Sequence, residues 1–167
     1  MMLARILQNG IRKRLAAGAR VALLGALMIG GSLLASRDAM ANSAMSSAAV
    51  SASAGMGGCS SNAGKALYEC VANVLDKLSS DISSVNVPQT RSALQNAAAK
   101  LRAATSKAQA LSAISQCRAL ISGALRQVRA IGGGHVPGWG GGQGGGAGLE
   151  AIAGVLGRAA ALIQSKG

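Results

Sequence analysis

The sequence predicts an all-α fold: a small disulfide-stapled helical hairpin or bundle, then a flexible glycine-rich arm and a C-terminal apolar helix. Three observations carry this expectation. Apolar residues recur at spacings of mostly three and four through residues 67–131 and again through 149–164, the period of one helix face. A single glycine-dense run, residues 132–148, separates the two stretches. Three cysteines follow an export-type leader, which places them where disulfides persist.

Residues 1–41 read as a secretory signal peptide. Arg5, Arg12, Lys13, Arg14 and Arg20 precede an uncharged apolar run over 21–34, a polar stretch holds Arg37 and Asp38, and Ala39-Met40-Ala41 supplies a small-x-small cleavage pattern. The apolar run falls short of the roughly 20 residues that a permanent spanning helix needs. Gly25, Gly30 and Gly31 weaken it further, so cleavage is favoured over an uncleaved anchor. There is no Arg-Arg pair, which favours general secretion over a twin-arginine route. The expected location is periplasmic or secreted. Met56-Gly57-Gly58-Cys59 has an outline of a lipobox, but the apolar run does not lie directly before Cys59, so lipidation is not expected.

Residues 42–58 are mostly Ser, Ala, Gly and Met, with Asn42 and Val50 and no charge, and read as a flexible linker. The helical domain is expected over residues 59–131. Its first helix starts after Ser60-Ser61-Asn62, any of which can cap backbone donors, and carries Leu67, Val71, Val74, Leu78 and Val85 on one face. Pro88 marks the next boundary and suits a first helical turn. From there Leu94, Ala97, Leu101, Ala104, Ala108, Leu111, Ile114, Cys117, Ile121, Leu125, Val128 and Ile131 hold a helical stripe with one slip near Leu111. With no Gly or Pro to break it there, one long or kinked helix is favoured over two helices meeting within 105–111.

Cys70 and Cys117 both fall on inward faces of these helices, so a Cys70–Cys117 bond is the expected staple. Cys59–Cys117 ranks second and Cys59–Cys70 third, since spacing alone leaves connectivity open. Cys59 is the expected free or intermolecular thiol. Residues 132–148 hold eleven glycines with His135, Pro137 and Trp139, too costly in backbone entropy for a regular element. Residues 149–167 form a last helix with Leu149, Ile152, Val155, Leu156 and Ile163 on its apolar face. Docking onto the bundle is favoured, with engagement of a membrane or partner helix as the alternative.

Composition bounds the function. The full chain carries a net charge of +12, and residues 42–167 keep eleven Lys and Arg against four Asp and Glu, a balance of +7. Such an excess suits anionic surfaces. Tyr68 and Trp139 are the only aromatics, too few rings for base stacking, so sequence-specific nucleic-acid binding is not expected. His135 sits among glycines, far from the rigid frame a thiol nucleophile needs. Cys59, Cys70, Cys117 and His135 lack the close pairing of a zinc site, and four acids leave little for paired-carboxylate catalysis. No enzyme, metal or cofactor is expected. The leading expectation is a non-enzymatic exported interaction protein. It would present Arg91, Lys100, Arg102, Lys107, Arg118, Arg126 and Arg129 to an anionic envelope component or an acidic protein partner. The alternatives are a membrane-active or toxin-like effector acting through the C-terminal helix and, more weakly, a self-associating subunit of a surface or secretion assembly.

Overall fold

The computed structural model describes residues 35–132 and 146–167, all within one compact unit, Gly31–Gly167. Residues 1–34, most of the stretch expected to be a signal peptide, and the glycine-rich residues 133–145, with His135 and Trp139, lie outside the described residues. The described residues form five α-helices: α1 (Ala35–Gly58), α2 (Gly64–Asp81), α3 (Pro88–Ala103), α4 (Lys107–Ala130) and α5 (Gly146–Lys166), with a short 3-10 turn, Cys59–Ser61, between the first two. Each helix packs on its neighbour in sequence, α5 returns to pack on α1, and α2 also touches α5 across the interior. The result is a closed ring of helices around one core. The all-α expectation holds, with more helices than a hairpin.

The largest departure is α1. Residues 42–58 are not a linker but the body of a helix, and Met45, Ala48, Ala49, Ala52 and Met56 are buried in the common core. Those positions are spaced three, one, three and four apart, which is a helix face. Alanine has the highest intrinsic helix propensity, and its small side chain lets α5 and α2 approach the α1 backbone closely. A Cβ built on Gly148 of α5 would lie 2.8 Å from Met45 Cβ, and one on Gly55 of α1 would lie 3.1 Å from Val74 Cγ2 of α2. Only glycine fits at Gly148 without displacing α1.

α2 buries Leu67, Tyr68, Val71, Ala72, Leu75 and Leu78. Ile82 and Val87 continue the core through the turn into α3, where Pro88 occupies the first helical turn as expected. The single long helix expected over 88–131 is instead two. The chain leaves α3 at Ala104 in an extended conformation, and Ser106 caps α4, accepting a hydrogen bond from the Gln109 amide at 3.3 Å. Gln109 Oε1 in turn accepts from the Thr105 amide at 2.8 Å. The two side chains satisfy the Gln109 amide in the first turn of α4 and the Thr105 amide just before the cap, so the break needs neither Gly nor Pro. α3 and α4 then run antiparallel, with Lys100 donating to Gln116 Oε1 between them.

α5 buries Leu149, Ile152, Val155, Leu156, Ala159 and Ile163 against the rest of the bundle. The apolar face read from the sequence is the face turned inward. Its far end is tied down where Lys166 Nζ donates to the Ser60 carbonyl. At the same end of the molecule Lys65 Nζ donates to the Arg102 and Ala104 carbonyls, serving the orphan acceptors at the C-terminus of α3.

Candidate functional site

The cysteines are paired differently from the expected staple. Cys59, in the 3-10 turn directly after α1, and Cys70, in α2, are joined with a Cα–Cα distance of 5.7 Å, and Cys117 is the free thiol. The reason is the unexpected helix. With α1 in the core, its last turn delivers Cys59 to the second turn of α2, while Cys117 faces inward from α4 among apolar side chains. Cys59 is therefore neither free nor available to another chain.

Cys117 is only 2 % exposed, and burial pushes its thiol up from an ordinary value of 9.0 to about 12. The thiolate is the nucleophile, so Cys117 is suppressed as one at neutral pH. The neutral thiol is the form the fold accepts. An unfolded cysteine ionises near 9.0 and the native one only near 12, so between those values the unfolded state binds fewer protons. The thiol's contribution to stability is thus complete below about pH 9 and is lost as pH rises toward about 12. In native protein, Cys117 is expected to resist alkylation at neutral pH until the bundle is unfolded. Cys117→Ala should remove part of the loss in urea midpoint between about pH 8 and about pH 10.5. Rapid native-state labelling would contradict this burial.

Among the described residues no group of three His, Cys, Asp or Glu could hold a metal, and two of the three cysteine sulfurs are consumed by the disulfide. The clefts between helices are open and lined by a mixture of apolar, small polar and single basic residues. One lies between α1 and α5 around Ser53, Gly57, Arg158 and Leu162; another lies between α4 and α5 around Ser115, Arg118, Ser122 and Ala160.

The seven basic residues singled out by the sequence are not brought to one surface. Arg102 turns toward α2, where it pairs with Asp76 and also donates to Asn73 Oδ1 at 2.9 Å. Arg129 pairs with Glu150 of α5. Lys100 spans the α3–α4 seam to Gln116. Arg91 is half-buried, with a Nε that has no hydrogen-bond partner. Three remain on α4: exposed Arg118 and Arg126, and half-buried Lys107. Lys107, Arg118 and Arg129 recur every eleven residues, close to three full helical turns, and so share one line along α4. Arg126 lies beside Arg129 on the neighbouring row. Asp76, Asp81 and Glu150 are each taken up by a cation, and no carboxylate among the described residues pairs with Lys107, Arg118 or Arg126. Arg158 stands apart, on the α1–α5 side.

Leu149, Ile152, Val155, Leu156 and Ile163 lie in the core. α5 is long and apolar enough by composition to cross a membrane, but its apolar face is already occupied by the other helices. The fold and its surface thus define a class: a small helical bundle with a disulfide at one end and an unneutralised basic edge along α4. No known protein family, curated protein or solved structure matches the chain.

Proposed function

We propose that this protein is an exported, non-enzymatic interaction protein of a bacterial envelope, held to an anionic surface by the basic edge of α4. The observation that carries the reading is the distribution of charge. Acidic groups neutralise cations near α2 and at the start of α5, while Lys107, Arg118 and Arg126 are left on one helix with no carboxylate opposite them. Export is supported by the basic, apolar and small-x-small order of residues 1–41 and by a disulfide suited to an oxidising compartment. The anionic partner is a phosphate- or carboxylate-bearing envelope component, such as an acidic headgroup, met by point charges rather than by a shaped pocket.

Each Lys or Arg near an anionic membrane surface contributes about 1 kcal/mol. The triple variant Lys107→Gln, Arg118→Gln, Arg126→Gln is therefore expected to bind phosphatidylglycerol vesicles about 100-fold more weakly in a sedimentation assay. Arg102→Gln, which removes a cation already paired with Asp76, should change binding far less. Wild-type binding should fall steeply with added salt. Salt-insensitive binding, or equal binding by the triple variant, would remove the electrostatic reading.

A further inference from the structure

Asn42 occupies an odd position. It lies within α1, seven residues from the helix start at Ala35, where asparagine is a mediocre helix former. Its Oδ1 is buried and has no hydrogen-bond partner. The atom faces the start of α5: a Cβ on Gly148 would sit 3.2 Å from it. A buried carbonyl oxygen without a donor costs about 1–3 kcal/mol. The nearby amides cannot serve it, because in a continuous helix Ala44 and Met45 donate to the carbonyls four residues back, Met40 and Ala41.

Those two acceptors belong to the cleavage motif. Hydrolysis of the Ala41–Asn42 amide by water leaves a carboxylate on Ala41 and an ammonium on Asn42, and it carries the Met40 and Ala41 carbonyls away with the leader. The Ala44 and Met45 amides then become orphan donors, two and three residues after Asn42. That is where the side-chain oxygen of an N-cap residue reaches, and asparagine is among the best residues for the role. We infer that Asn42 is the built-in N-cap of the processed chain, so that removal of residues 1–41 pairs its orphaned Oδ1 with the first free amides of α1. The inference rests on the export reading above. It adds that processing improves the bundle rather than merely releasing it. Met45, one helical turn on, is already buried beneath Gly148, so the cap forms on a helix end that α5 holds in place.

The test is to express the full chain in an exporting bacterium and compare processed product with uncut chain, the latter recovered under signal-peptidase inhibition in mild detergent. Wild type, Asn42→Ala and the cap-competent Asn42→Ser are made in both forms. In processed protein Asn42→Ala is expected to lower Tm by about 3–5 °C, with Asn42→Ser recovering most of it. In uncut protein Asn42→Ala should leave Tm unchanged or raise it. Recovery of the uncut chain alone, without inhibitor, overturns the export reading and the cap with it, and a mass starting at another residue after the leader overturns the cap alone. A mass starting at Asn42, with Asn42→Ala changing both forms alike or neither, overturns the cap alone.

Discussion

Met56→Ala is expected to destabilise the bundle by about 2–5 kcal/mol, seen as a lowered urea midpoint. Met56 is 1 % exposed and sits on the inward stripe of α1, one turn before the disulfide. Truncation removes buried thioether surface and leaves a cavity that the surrounding side chains refill only in part. Val50→Ala provides the contrast within the same helix. Val50 is 70 % exposed, and its truncation should change stability by no more than about 0.5 kcal/mol. A linker would make the two variants indistinguishable, whereas a core helix separates them several-fold. Equal midpoints would return residues 42–58 to the linker that their composition suggests.

That composition explains why α1 was illegible. A helix face is normally read from the contrast between large apolar and polar residues. In α1 the inward positions are mainly alanine and the outward ones serine, alanine, glycine and Val50, so the contrast collapses although the spacing is helical. Only Met45 and Met56 carry the stripe strongly, and they stand eleven residues apart. α5 was legible for the opposite reason: Leu149, Ile152, Val155, Leu156 and Ile163 are large and regularly spaced, and all are buried. The division between α3 and α4 had a readable signal in Ser106-Lys107-Ala108-Gln109, a capping box. The continuous apolar stripe across it concealed the break, because a hairpin whose two arms face the same core preserves inward positions on both sides.

Charge was legible in total but not in arrangement. The sequence supplies the excess of cations, while the fold decides which of them meet the few carboxylates. Arg102 and Asp76 are far apart along the chain and are joined because α2 and α3 pack together. Exposed pairs of this kind contribute only up to about 1 kcal/mol each. Their main consequence is to remove Arg102 and Arg129 from the basic surface, leaving the α4 edge more sharply defined than the seven-residue set expected at the outset.

Reduction of the Cys59–Cys70 bond is expected to cost about 3 kcal/mol in the chain-entropy account, given a separation of 11 residues. For a domain of this size that corresponds to a fall in Tm of about 10 °C or more. The bond sits where several parts of the bundle converge. It fixes the turn whose Ser60 carbonyl accepts from Lys166 at the end of α5, and it anchors the start of α2, from which Lys65 serves the end of α3. Loosening this turn therefore affects α1, α2, α3 and α5 together. Connectivity decides the outcome of one further substitution. With Cys59 joined to Cys70, Cys117→Ala leaves the bond intact, and reduction still lowers Tm by the same amount. Were Cys70 joined to Cys117, the same variant would already lack its staple, and adding reductant would change nothing. Calorimetry of wild type and Cys117→Ala, each with and without reductant, separates the two arrangements. The pairing built by α1 requires the drop in both proteins.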